Sequence, residues 1–231
     1  MPARMALRNN HPADGGIGMI DLTLTAGAGM RGISFEPAAT VSEQGWNASW
    51  LHLYSHSGTH MDAPYHFACG DERIDQIPLD ACMGSAWIAD VTAVGPRGLI
   101  EVCHLGGVAE RFSDGEILLL KTGWCAHIDE PAYYRDSFPR VSEGLAEWCV
   151  ERKVKVLGVE PPSVADVNNL EELTRIHRIL LGAKIVIVEG LANLDRLSGE
   201  RVFFCALPLK IAGGDGAPCR AFASPSFPAF P

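Results

Sequence analysis

Between positions 54 and 67 the chain reads YSHSGTHMDAPYHF, which gathers His56, His60, Asp62 and His66 among small and turn-forming residues. Imidazole and carboxylate donors at this density suit a divalent first-row ion such as zinc or manganese. The lack of a cysteine inside the run speaks against a closed structural zinc site. Gly58 weakens a helix interior and Pro64 removes a backbone donor, so a short extended run followed by a loop is predicted here. His60 and Asp62, two residues apart, then share one face of the extended part. Polar residues scattered around a turn would be the bland alternative, but packing alone does not call for four such side chains in one short segment. An open ion site of this kind can hold water.

The elements that must position this segment are legible as apolar runs. Strands are predicted over 19–24, 86–94, 117–122, 154–159, 185–189 and 202–208, each apolar and either β-branched or bounded by turn residues. Helices are predicted over 142–152, with Ser142 as N-cap, and over 170–181, where apolar residues recur at helical spacing. The βαβαβ order of the second half implies parallel crossovers, and the strand-rich first half implies a mixed sheet, so the fold class is α/β. No repeat or linker divides the chain. A single domain over 18–223 is expected, with an N-terminal extension over 1–17 and an extended tail over 224–231.

Composition narrows the partners. The 231 residues carry a formal net charge of −9, and no basic stripe of the kind nucleic acid requires is present. The longest apolar runs fall far short of a membrane span, and the first residues lack a secretory core, so a cytoplasmic protein is expected. The seven cysteines are scattered without a CxxC pair and read as free thiols of a reducing compartment. Cys69 follows closely on His66 and is a candidate for lining a pocket.

Two further residues stand out. His177 interrupts an apolar helical run, and Glu189 closes an apolar strand just before Gly190, at the strand end where α/β sheets present ligands. Each has an equally good bland reading, as a core histidine and as a solvated strand end. The first cluster, which leaves an ion short of one or two ligands, favours the functional one.

The run HSGTHMDAPYH resembles the HxGTHxDxPxH signature of the cyclase family of metal-dependent hydrolases, which includes kynurenine formamidases and isatin hydrolases. LLLKTGW over 118–124, GVEPPSV over 158–164, VEGLANL over 188–194 and LPLKIAGGDGAPCRAFA over 207–223 resemble further family blocks in the family's order. The resemblance implies a swivelling-type β/β/α domain that assembles into a homodimer or homotetramer. It implies His56, His60 and Asp62 as ligands of a first metal, His177 and Glu189 as the remaining ligands, and His66 as the proton donor and acceptor. Asp62 and Glu189 can each bridge two ions. One or two ions of zinc or manganese are implied.

The expected activity is hydrolysis of a small linear or cyclic amide, an arylformamide or an isatin-like lactam. The ion would bring a water toward ionisation at neutral pH, and His66 would deliver a proton to the departing nitrogen. Phe35, Trp46, Trp50 and Phe67 are candidates for the wall of a pocket for an aromatic small molecule, with ordinary core aromatics as the bland alternative; Ser57 and Thr59 are candidates for orienting the imidazoles, and Asp215 and Arg220 in the last block for bordering or supporting the site. Cyclisation or lyase chemistry on another small ring is the alternative within the family, and a non-catalytic metal-binding protein the alternative outside it. Two departures bear on substrate. Residues 26–37, AGAGMRGISFEP, lack the tryptophan that kynurenine formamidases carry in a WPGD-like stretch, and Glu160 stands where the family tends to have aspartate.

Overall fold

The computed structural model describes residues 18–225. In chain order its strands are β1 (Ile20–Asp21), β2 (Ile33–Ala39), β3 (Ala48–Leu53), β4 (His60–Asp62), β5 (Met83–Asp90), β6 (Leu99–Ile100), β7 (Ile117–Lys121), β8 (Arg140–Val141), β9 (Val156–Val159), β10 (Val186–Glu189), β11 (Arg201–Pro208) and β12 (Gly216–Ser224). The α-helices are α1 (Val41–Gln44), α2 (Gly107–Arg111), α3 (Pro131–Asp136), α4 (Glu143–Glu151) and α5 (Leu170–Gly182).

The main sheet runs β12-β11-β5-β7-β9-β10-β4, and β4 pairs back onto β12, so the strands close into a ring. Strand β1 pairs outside the ring, on the far end of β12. Neighbours from β5 through β7 and β9 to β10 are parallel, whereas β4, β12 and β11 join them antiparallel. This is the mixed sheet of an α/β domain, with the crossovers expected in the second half.

Both faces of the parallel strands are apolar because both are covered. Ile117, Leu119, Val156, Val186 and Val188 point into the barrel against Phe204 and Ala217. Leu118, Leu120, Leu157 and Ile187 alternate outward against Leu145 and Cys149 of α4 and Ile176 and Leu180 of α5. Caps fix where these helices begin: Ser142 accepts a hydrogen bond from the Leu145 N–H, and Asn169 accepts one from the Glu172 N–H.

Element ends differ from expectation where side chains intervene. Asp90 accepts bonds from the N–H and hydroxyl of Thr92, and the turn they form ends β5 short of position 94. The expected strand over 19–24 shrinks to Ile20–Asp21 with an isolated bridge between Thr23 and Leu191. Besides the two-residue strands β6 and β8, three longer strands escape the hydrophobic pattern. Strand β12 contains Gly216 and Pro218, and the β2–β3 hairpin exposes most of both faces, so neither shows the usual buried alternation. The expected extension over 1–17 and most of the tail, 226–231, lie outside the described residues, and Ser224 pairs with Phe203 as the end of β12. Among the described residues no helix is long and apolar enough to cross a membrane.

Candidate metal centre

The short strand β4 organises the site. It lies between β10 and β12, is buried throughout, and turns Met61 into the barrel, leaving His60 and Asp62 on the outer face under α5. His60 stands directly opposite Glu189 in the antiparallel register. Directly paired side chains share a face, so a histidine and a carboxylate meet by backbone geometry alone.

The loop before β4 is bolted to the end of β10. Thr59 donates its hydroxyl to the Gly190 carbonyl and accepts from the Leu24 N–H. Gly190 has φ +68°, and a Cβ there would fall 2.3 Å from the Gly58 carbonyl oxygen. Gly190→Ala is therefore expected to destabilise the fold by roughly 3 kcal/mol or more, combining a left-handed alanine with a backbone clash. A cost under about 1 kcal/mol in urea unfolding would contradict the tight apposition.

The ligand-type atoms converge. His60 Nε2 lies 3.1 Å from Glu189 Oε2 and 3.7 Å from Asp62 Oδ1. His177, reaching down from α5, places Nε2 3.6 Å from Asp62 Oδ2 and 3.5 Å from Glu189 Oε1. His56 sits between two carboxylates, with Nδ1 2.8 Å from Asp62 Oδ1 and Nε2 2.9 Å from Asp215 Oδ2. His66, on the turn Pro64–Phe67, stacks on His56 with ring centroids 3.8 Å apart. Among the described residues, two trios have ligand-type atoms mutually within 4.8 Å: His56 with Asp62 and His66, and His60 with Asp62 and Glu189. Asp62 belongs to both.

The hydrogen bonds behind the rings set which nitrogen faces the carboxylates. His60 Nδ1 lies 3.0 Å from the Gly58 carbonyl, and His177 Nδ1 2.7 Å from the Leu173 carbonyl. A carbonyl only accepts, so each Nδ1 carries the proton and each Nε2 is free to present a lone pair. His60 Nε2 and Asp62 Oδ2 are buried without a hydrogen-bond partner. Orphaned buried atoms are rare, and lone pairs aimed at buried carboxylates repel unless a cation lies among them. The residues present thus fit a divalent ion, with oxygen and imidazole donors of the kind zinc and manganese accept.

Electrostatics give the same picture. Burial opposes the charged form of His56, but Asp62 and Asp215 outweigh it and push its pKa up to about 9. Burial likewise opposes charge on His60 and His177, and Glu189 with Asp62 overcomes it, raising both. Glu189 is held low, its own burial being outweighed by His177 and His60. Without an ion, protons neutralise the carboxylates. A folded pKa of about 9 against 6.5 means that the His56 contribution to stability is fully present below pH 6.5 and lost as pH rises to 9. Chelator-treated protein is expected to lose about 3 kcal/mol over that window. Added Zn²⁺ should stabilise most at the alkaline end, where it no longer competes with protons. A melting temperature independent of pH between 6.5 and 9 in chelator would refute this.

The cyclase family model matches residues 20–166 of the chain. A kynurenine formamidase from Salinibacter ruber is 33% identical over 179 residues, 78% of this chain and 80% of that protein. The chain belongs to the cyclase family. Isatin hydrolase A from Ralstonia solanacearum shares the fold with a TM-score of 0.81 at 24% identity, covering 90% of this chain and 91% of that one. An isatin hydrolase bound to the product analogue thioisatinate does so with a TM-score of 0.83 at 22% identity, covering 90% and 92%.

Within this cyclase-family fold, several expectations need correction. Thr59 and Ser57 hold backbone rather than imidazoles, Ser57 donating to the Arg31 carbonyl; the rings are oriented by the Gly58 and Leu173 carbonyls. Phe35, Trp46 and Trp50 sit exposed on and beside the hairpin, away from the cavity. That cavity, about 400 Å³, opens on His56 and His60 and is walled by Leu24, Met30, Tyr54, Ile128, Tyr134 and Val167. Phe67 instead stacks on His177 at 4.3 Å. Cys69 lies outside the cavity lining, and burial pushes its thiol pKa up, away from thiolate character. Arg220 pairs with Asp21 at 2.6 Å, tying β12 to β1. Glu160 is fully buried and accepts from the Thr122 N–H and hydroxyl, so it fixes the turn after β7 and takes no part in the histidine cluster.

Proposed function

We propose that this chain hydrolyses a small aryl amide, either an N-formyl aryl amine or an isatin-like lactam, at a site built on His56, His60, Asp62, His177 and Glu189. Family membership makes it an enzyme of the metal-dependent hydrolases that act on non-peptide C–N bonds. The observation that carries the finer reading is the pair of tautomer-fixed histidines facing two buried carboxylates, with His60 Nε2 and Asp62 Oδ2 orphaned, beside an apolar cavity.

One or two bound zinc or manganese ions would supply hydroxide at neutral pH and polarise the scissile carbonyl. The chain's own residues do the rest. The cavity wall of Met30, Ile128, Tyr134 and Val167 takes the aryl ring and excludes water around it. His66, partly open to solvent, stacks on His56, which lines that cavity. Burial keeps its pKa below the usual value although Asp62 pulls the other way, so it is neutral near pH 7 and ready to accept a proton. It then returns that proton to the departing nitrogen. Met30 and Arg31 line the lip in the region where kynurenine formamidases carry a tryptophan, so ring selectivity here is set by different side chains.

Exposed Phe35, Trp50 and Leu51 on the hairpin support assembly into a homodimer or homotetramer, which light scattering would measure. The functional test is an assay of N-formylkynurenine and isatin before and after chelation. Hydrolysis of one of them, lost with chelator and restored by Zn²⁺ or Mn²⁺, is expected. Hydrolysis of neither would refute the substrate class.

A further inference from the structure

The three histidines nearest the buried carboxylates differ in what stands behind them. His60 and His177 are backed through Nδ1 by main-chain carbonyls, but His56 is backed by a side chain, Asp215. The His56 ring has little freedom otherwise. His66 stacks on one face at 3.8 Å, and a Cβ at Gly216 would fall 2.6 Å from its Cε1, so that glycine leaves the ring its space. Gly216 pairs with Asp62, which sets Asp215 one step before the start of β12 and beside the ligand strand. What remains to be decided is which nitrogen of His56 keeps a proton.

Nδ1 faces the buried Asp62, and Nε2 faces Asp215, whose side chain is 40% exposed. An ion among the buried carboxylates can take only the Nδ1 side, and Nε2–H then donates to Asp215. We infer that Asp215 is a positioning residue that holds His56 in the Nε2–H tautomer and thereby aims its Nδ1 at the metal. This rests on reading His56 as a ligand. A carboxylate behind a metal-bound imidazole fixes its tautomer and orientation and raises its basicity. Ser55, donating to the same Asp215 oxygen at 3.4 Å, helps hold the carboxylate in place. Asp215 is also 3.7 Å from His66 Nδ1, so the same oxygen lies against both stacked rings.

The test uses the full chain stripped of metal, with Zn²⁺ affinity measured by competition against a chromophoric chelator and Co²⁺ absorption bands as a second readout. Asp215→Asn is expected to weaken Zn²⁺ binding by about tenfold to a hundredfold and to shift the Co²⁺ bands. Asp215→Glu, which keeps an acceptor-only, charged carboxylate where asparagine brings a neutral amide that can also donate, should recover much of the loss. Asp215→Asn binding within about twofold of wild type, while His56→Ala binds weakly, would overturn the inference alone. Equal losses in both Asp215 variants with unchanged Co²⁺ bands would also overturn it, by assigning a purely structural role. If His56→Ala binds as wild type, the reading of His56 as a ligand fails, and the inference falls with it.

Discussion

Asp62→Asn is expected to lower kcat/KM by roughly a thousandfold or more and to remove most of the bound metal, about 4 kcal/mol of lost transition-state stabilisation. The size follows from position. Asp62 is the member common to both trios of ligand atoms, it is buried, and its Oδ2 has no hydrogen-bond partner within the protein. Asparagine keeps the shape but loses the charge, and it would point an amide at histidines whose proton positions are already fixed from behind. Loss of the carboxylate also leaves the His56 charge facing Asp215 alone on its other side. Metal content by elemental analysis and steady-state rates check the result together. An Asp62→Asn protein that keeps stoichiometric metal and a rate within about tenfold of wild type would show that Asp62 is not the shared ligand.

His66→Ala is expected to lower kcat by roughly a hundredfold to ten-thousandfold while metal content stays near that of wild type. The two variants separate two kinds of residue that the primary cluster mixes. His66 lies close enough to His56 and Asp62 to serve as a ligand, yet it is the most exposed of the ring-bearing members, 24% against 9% for His56 and 2% for His60 and His177. It also lines a separate, open pocket with Thr174, Arg178 and Asp215, where it can exchange protons with solvent. Its lowered pKa favours a group that accepts a proton near neutrality over one permanently charged. A variant that loses its metal would instead place His66 among the ligands, and one with undiminished kcat would remove it from proton transfer.

Much of this site was legible in the sequence because β4 and its flanking loop carry His56, His60, Asp62 and His66 in one short segment, where chemistry outweighs secondary-structure preference. The two-residue spacing of His60 and Asp62 carried their shared face as well. His177 and Glu189 gave weaker signals, a polar interruption of a helix and a charged strand end, and took their meaning from the family pattern. Asp215 stands out in the sequence only as a member of the last family-like block, bordering or supporting the site, with no role of its own. It sits in GGDG, which reads as a turn, and only the pairing of Gly216 with Asp62 brings it behind His56. The cavity wall is not legible from aromatic content: Phe35, Trp46 and Trp50, candidates with an equally ordinary packing role, do not line it, whereas segments distant in sequence put Met30, Ile128 and Val167 there. Continuous apolar runs reveal the covered parallel strands. The exposed hairpin and the glycine- and proline-bearing β12 do not obey that pattern.

The most direct test of the metal-centre reading is an anomalous difference map from crystals of the chain grown with Zn²⁺ or Mn²⁺. A peak among His60 Nε2, the Asp62 and Glu189 carboxylates and His177 Nε2, with or without a second peak toward His56 Nδ1, is the result expected. A metal-saturated protein with no peak among these atoms would contradict it.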